Sequence, residues 1–164
     1  NQCQPAFTIG NQVFRGPSAL SLDAKGRMVM PSRFRDALSA SCDGKMIVTV
    51  DFEGHCLTMH PLPDWQAIEQ KLLAMPTLNP QTRRLQRMLL GYASEVEMDS
   101  NGRVSLPALL REKVKLEKKI MLVGMGKKLE IWPEDAWSDS FQQWVDEGPV
   151  KADELPEAVQ NLVF

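Results

Sequence analysis

The sequence predicts an α+β, β-rich fold built from two tandem repeats of one unit, with short helices. Three observations carry that prediction: an internal repeat, alternating apolar stretches around a repeated D-x-x-G-R turn, and prolines just ahead of short amphipathic segments. Residues 22–35 read LDAKGRMVMPSRFR, and residues 98–111 read MDSNGRVSLPALLR. At an offset of 76, Asp23, Gly26, Arg27, Pro31 and Arg35 recur as Asp99, Gly102, Arg103, Pro107 and Arg111. Leu22, Met28, Met30 and Phe34 recur as apolar Met98, Val104, Leu106 and Leu110, so the hydrophobic pattern holds where identity does not. Farther on, residues 46–50 match 120–124, and Leu57, Met59, Pro61 and Trp65 recur 72 residues later as Leu129, Ile131, Pro133 and Trp137. The change of offset puts four extra residues into the first copy's strand-to-strand loop, around DFEGH.

Each copy reads the same way along the chain. An alternating stretch, residues 19–22 or 94–98, enters the turn as a strand. Gly26 or Gly102 supplies the positive φ of a tight turn, and Asp23 or Asp99 accepts backbone hydrogen bonds across it. Pro31 and Pro107 stand where a short helix begins, since the first helical N–H has no intrahelical partner to lose. Arg35 and Arg111 fall inside that helix. Two more short strands follow, then an amphipathic helix carrying Trp65 or Trp137, which points to packing.

Between the copies, Asn79-Pro80 is a helix start. The helix carries an apolar face of Leu85, Met88 and Leu89, with Arg83, Arg84 and Arg87 around it and Gly91 as its C-cap. The divisions are therefore an extension over residues 1–13, a first repeat over 14–75, a connecting helix over 76–92, a second repeat over 93–147 and an acidic tail over 148–164. In that tail Leu155, Val159 and Leu162 fall at helical spacing, with Pro156 limiting the helix before it.

Composition excludes more than it identifies. The 164 residues are 43% apolar and 24% charged, a globular balance. No run of apolar residues is long enough to span a bilayer, and residues 1–12 lack the pattern of a secretory signal, so a cytoplasmic protein with no membrane partner is expected. Three cysteines follow no framework spacing, which suits a reducing compartment. The net charge of -2 hides two segments of opposite sign. Residues 1–129 hold 18 bases and 12 acids, while residues 130–164 hold one base and nine acids.

The repeated turn is the strongest chemical feature. An arginine directly after the turn glycine presents a planar fork of donors suited to phosphate oxygens or to guanine O6 and N7. The first copy adds Lys25, a point charge for phosphate, and the second has Asn101, a base-edge or phosphate donor. The competing reading is a purely structural turn in a self-assembling scaffold, with Asp and Arg paired across it. Arg83, Arg84, Arg87 and the lysines at 113, 115, 118 and 119 either extend a basic surface or form solvated helix faces. His55, Cys56 and His60 are close in sequence but match no metal-ligand spacing, so no metal and no cofactor are expected. No nucleophile elbow, Walker loop or dinucleotide fingerprint occurs, so the chain does not read as an enzyme.

Phe14-Arg15-Gly16, the LDAKGRMVMPSRFR segment and the stretch LQRMLLGYASEVEMDSNGRVSLPALLR closely resemble the MraZ family of bacterial transcriptional regulators, from about Phe14 to near the C-terminus. Val13 stands where that family begins with Met, which suits a non-ATG start with upstream sequence ahead of it. The resemblance implies tandem units of the AbrB/SpoVT type fused into a pseudo-dimeric, double-split (swapped-hairpin) β-barrel. It also implies a homo-oligomeric ring that binds double-stranded DNA at direct repeats in the promoter of the division and cell-wall gene cluster. Such a protein acts as repressor and autoregulator, is associated with the nucleoid and needs no cofactor. The DNA-binding positions it implies are Arg27 and Arg103, with Lys25, Gly26, Asn101 and Gly102 in the same turns and Arg15, Arg83, Arg84 and Arg87 as weaker contributors.

Overall fold

Strand β1 (Phe14–Ser21) runs into the first turn, and β2 (Arg27–Val29) leaves it. Helix α1 (Ser32–Cys42), strands β3 (Lys45–Val50) and β4 (Leu57–Pro61) and helix α2 (Leu62–Leu73) complete the first copy. After the connecting helix α3 (Pro80–Leu89), the order returns as β5 (Ser94–Glu97), β6 (Arg103–Ser105), α4 (Ala108–Lys113), β7 (Lys119–Gly126), β8 (Leu129–Pro133) and α5 (Glu134–Asp146). This is a computed structural model, and it describes residues 13–162. The segment 1–12, including most of the expected extension and the position of Cys3, lies outside the described residues.

The local chemistry explains the element boundaries. Asn79 caps α3, its Oδ1 accepting from the amides of Gln81 (2.8 Å) and Thr82 (3.3 Å). Pro31 and Pro107 occupy the N-cap positions of α1 and α4, one residue ahead of the expected place, in extended backbone. The C-cap of α3 is Leu90 rather than Gly91, while the Gly91 amide donates to Gln86 O. A Cβ at Gly91 would strike the Arg87 carbonyl, which accounts for the glycine there.

The strands form one six-stranded antiparallel sheet in the order β1-β7-β8-β4-β3-β5 and a separate two-stranded ribbon, β2-β6. The leading strand of each copy pairs with the other copy: β1 with β7, and β5 with β3. Two registers mark the pseudo-twofold that relates the copies. Met28 faces Val104 in the ribbon, and Thr58 faces Glu130 at the β4-β8 seam. Each of these pairs joins repeat-equivalent positions, so exchanging the copies maps the pair onto itself.

The closed barrel implied by the resemblance does not form. Among the described residues the large sheet ends at β1 on one edge and β5 on the other, and no ladder joins them. A barrel needs every strand paired on both sides. Here the three-residue strands β2 and β6 pair only with each other. The next amides, Met30 and Leu106, donate to the carbonyls of Gly102 (2.7 Å) and Gly26 (3.0 Å) in the opposing turns. Those donors are consumed inside the ribbon and cannot close the sheet.

One hydrophobic core serves both copies. Met28, Met30, Phe34 and Leu38 meet their equivalents Val104, Leu106, Leu110 and Val114 in a single buried cluster, together with Val48, Leu57, Met59, Leu122, Leu129 and Ile131. The chain divides into two compact units, Asn1–Glu134 and Asp135–Phe164. In the second, Trp137 and Trp144 stack edge to face at 5.8 Å, while Phe141, Trp144 and Val145 remain exposed. A 3-10 turn (Ala152–Glu154) and a single-turn helix (Glu157–Gln160), capped by Pro156, follow.

Candidate nucleic-acid interface

Each turn is held by its own aspartate. Asp23 Oδ1 accepts from the amides of Lys25 and Arg27, both at 2.9 Å, and Oδ2 accepts from Arg27 Nε at 2.7 Å. Asp99 repeats this with Asn101 and Arg103 at 2.9, 2.9 and 3.0 Å. The Arg27 amide, opposed by partial desolvation and joined by the Arg27 guanidinium and the Lys25 amide, holds the Asp23 carboxyl below its usual range; Arg103 and Asn101 do the same for Asp99. The aspartate therefore orients the arginine through Nε. Among the described residues the terminal Nη atoms of Arg27 and Arg103 make no hydrogen bond, which leaves the outer fork of each guanidinium for a ligand.

Gly26 (φ 75°) and Gly102 (φ 76°) lie in the left-handed region, as the turn demands. A second constraint acts on them. The guanidinium of Arg111, from the second copy, lies against Gly26, where a Cβ would come within 2.5 Å of its Cζ. Arg35, from the first copy, lies equally against Gly102, its Cζ 2.6 Å from such a Cβ. Arg35 Nη2 also donates to Met30 O (2.9 Å), and Arg111 Nε to Leu106 O (3.1 Å). Each turn is thus braced by an arginine of the other copy. Sequence reasoning placed Arg35 and Arg111 in helices without giving them this task; their recurrence at the common offset was the available signal.

Strand alternation then sets the surface. Met28 and Val104 point into the core, so Arg27, Val29, Arg103 and Ser105 share the opposite, solvent-facing side of the ribbon. Arg27 lies opposite Ser105 and Arg103 opposite Val29, which makes the two arginines diagonal neighbours, on the order of 7 Å apart at Cβ. Lys25 and Asn101 are exposed at the two turn tips. Two exposed lysines flank the strand that enters the first turn: Lys119, the first residue of β7, pairs with Ser21, and Lys118 just before it accepts from the Leu22 amide through its carbonyl at 2.8 Å.

The weaker candidates are elsewhere. Arg15 stands on β1 opposite Met125, six residues before Ser21 and so about 20 Å along the strand from the turn. Arg83 donates through Nη1 to the carbonyls of Thr77 (3.1 Å) and Leu78 (3.3 Å), which ties down the loop ahead of α3. Arg84 and Arg87 are exposed on α3, whose last turn is anchored by Thr49 Oγ1 donating to Leu89 O (2.7 Å), at the other end of β3 from Lys45.

The His55, Cys56, His60 grouping does not assemble. His55 is exposed, while His60 is buried, with Nε2 3.1 Å from Thr58 Oγ1 and its ring 5.4 Å from Trp65. Burial, helped by Lys128, pushes His60 down to about 4. Cys56 instead lies with Asp51 and Glu130, their donor atoms within 4.8 Å of one another. Both carboxylates are already engaged: Asp51 accepts from the Glu53 amide, and Glu130 accepts from Trp132 Nε1 (3.1 Å) and pairs with Lys128 (3.7 Å). Burial first, then those acids, pushes the Cys56 thiol far up, so it is a neutral packing group.

The family model for the MraZ protein matches this chain twice in tandem, over residues 13–88 and 89–154. The chain belongs to the MraZ family. Each matched stretch contains one of the two turns. Among the relatives, the transcriptional regulator MraZ of Pseudomonas aeruginosa is 54% identical over 153 residues, 93% of this chain and 100% of the relative. That of Idiomarina loihiensis is 53% identical over 134 residues, 82% of this chain and 88% of the relative. That of Alkalilimnicola ehrlichii is 47% identical over 152 residues, 93% of this chain and 100% of the relative. The MraZ relatives matched are named as regulators, not as enzymes. No helix of the described residues in this MraZ-family chain is long and apolar enough to cross a membrane.

Proposed function

We propose that this MraZ-family chain is a transcriptional regulator that reads double-stranded DNA with the β2-β6 ribbon. One observation carries the reading: Arg27 and Arg103 share the solvent face of a two-stranded ribbon whose other face is sealed into the core by Met28 and Val104. A two-stranded ribbon fits the major groove, and an arginine fork oriented through Nε offers its outer nitrogens to guanine or phosphate. Lys25, Gly26, Asn101 and Gly102 shape the same surface, while Arg83 ties down the loop ahead of α3. The targets are direct repeats in the promoter of the division and cell-wall gene cluster, where the protein acts as repressor and autoregulator on the nucleoid in the cytoplasm.

The assembly in this proposal is a homo-oligomeric ring, which engages successive repeats and raises avidity by roughly a hundredfold or more. It is supported by the exposed apolar residues of α5 and by the opposite charges of residues 1–129 and 130–164. The test is a mobility shift on DNA upstream of the protein's own gene, with a salt titration. Arg27→Ala should cost about 1–3 kcal/mol of specific binding if it reads a base. A phosphate role would instead weaken all sequences alike and flatten the salt slope. Undiminished binding by a folded Arg27→Ala/Arg103→Ala protein would overturn the proposal.

A further inference from the structure

The two turns share a backbone but differ in what their tips can undergo. The first copy has Lys25-Gly26 there and the second Asn101-Gly102. Of the five asparagines in the chain only Asn101 precedes a glycine; the others precede Gln2, Gln12, Pro80 and Leu162. An asparagine before glycine is open to attack by the amide nitrogen that follows it, because no Cβ stands in the path and the glycine backbone adapts to the ring that forms. Asn101 is exposed, and its side chain makes no hydrogen bond among the described residues; its backbone amide donates to Asp99 Oδ1 at 2.9 Å. The Gly102 amide donates to Asp99 O at 3.0 Å, a bond that the attack must give up. Against that loss stands Arg35. Its guanidinium lies against Gly102, and its buried Nε has no hydrogen-bond partner among the described residues. A positive charge and an unused donor beside the amide favour its deprotonated form and stabilise the oxyanion that forms as it attacks.

From these placements we propose that Asn101 is a site of spontaneous deamidation in the folded protein, which converts the second turn and leaves the first, with Lys25, untouched. The Gly102 nitrogen gives its proton to hydroxide and bonds to Asn101 Cγ. The bond from Cγ to the side-chain nitrogen breaks, and that nitrogen takes a proton from water and leaves as ammonia. Water then opens the succinimide at either carbonyl, leaving aspartate or isoaspartate at position 101. One water is consumed, one ammonia is released and nothing is oxidised or reduced. Either product sets a carboxylate two residues from Arg103, and isoaspartate also lengthens the backbone between Asp99 and the Arg103 amide that it holds. The consequence for DNA rests on the DNA-binding reading above. A carboxylate at the tip repels phosphate, so the second turn loses its contacts. In the proposed multivalent assembly each converted copy subtracts from the avidity, and affinity declines with the age of the protein.

The experiment is timed ageing of the full-length protein at neutral pH and physiological temperature. Asn101 lies in the tryptic peptide 88–103, whose amide, aspartate and isoaspartate forms separate by chromatography and mass; the same peptide, free in solution, is the reference. Conversion in the folded protein should at least match that of the free peptide and rise in proportion to hydroxide. Arg35→Gln should slow it, and Arg35→Lys, which keeps the charge, should not. Conversion slower than in the free peptide, or undiminished in Arg35→Gln protein, overturns the proposal. Converted protein, separated by anion exchange, should bind the DNA upstream of its own gene about tenfold or more weakly than fresh protein, the loss of one good contact. Asn101→Gln protein, whose longer side chain closes the ring poorly, should keep its starting affinity through the same ageing. Equal binding by converted and fresh protein overturns the loss of the second turn. Failure of fresh protein to bind any DNA instead sinks the DNA-binding reading, while the chemistry at Asn101 is decided by the peptide analysis alone.

Discussion

Met28 lies directly opposite Val104 at the centre of the β2-β6 ladder, and both side chains are fully buried. They are the same position of the two repeats, so the pseudo-twofold passes between them. Every other feature of the interface, from the diagonal arginines to the crossed Arg–Gly braces, follows from that register.

Because this pair sits in a core common to both copies, Met28→Ala should cost about 2–5 kcal/mol of unfolding free energy. The loss should register as one cooperative transition for both repeats. Denaturant unfolding followed by far-UV circular dichroism checks this. Two separate transitions, one per repeat, would contradict a single core.

Gly26→Ala meets two penalties, the positive φ and the Arg111 guanidinium. The single variant should lose about 1–3 kcal/mol. Adding Arg111→Ala should relieve the collision and leave roughly 1 kcal/mol of backbone cost. A double-mutant cycle would then report a coupling between residues of different repeats. Strict additivity would mean that the cross-copy brace has no energetic content. Gly102 and Arg35 should behave the same way.

The turn aspartates give a pH signature. Their folded carboxyls sit below the ordinary value of 3.8, so the order they impose is complete above that value and is lost as pH falls below it. The Nε–H resonances of Arg27 and Arg103 should stay dispersed from neutral pH down to that range and collapse together beneath it. Asp23→Asn should release the Arg27 signal already at neutral pH with little change in stability, since an exposed ion pair is screened by solvent.

His60 acts in the opposite direction to a stabilising histidine partner. Its folded value of about 4 is below the ordinary 6.5, so the unfolded chain binds the proton first as pH drops. Stability should decline between 6.5 and about 4 and level off below, by on the order of 3 kcal/mol in all. His60→Leu should flatten that part of the profile in urea titrations. An unchanged slope would show that another group is responsible.

Much of the interface was legible in the sequence because its chemistry is local. A glycine that must take positive φ, an aspartate two and four residues from the amides it caps, and an arginine that follows the glycine all act within five residues. The Asn79 cap and the burial of Trp65 are local in the same sense. Less was legible where partners are distant. Arg35 and Arg111 look like ordinary helix residues until the opposing turn arrives against them. Lys118 and Lys119 look like solvated lysines until β1 pairs with β7 and brings them beside the first turn. His55, Cys56 and His60 are near in sequence but were not expected to bind metal; strand alternation turns the exposed His55 away from the other two, and Cys56 and His60, on one face, are four residues, about 13 Å, apart along the strand.

By itself, the sequence determined that there are two copies of one unit, where each turns and which side chains stand at each turn, because these depend on φ preferences, short hydrogen bonds and hydrophobic period. Only the tertiary structure decided which copy pairs with which. The apolar strands of the two copies have nearly the same pattern, so β1 could satisfy its edge on β3 as well as on β7; packing of one shared core selects the exchange. That same selection spends the short strands β2 and β6 on each other and leaves the large sheet open. It also brings two chemically different turns onto one face.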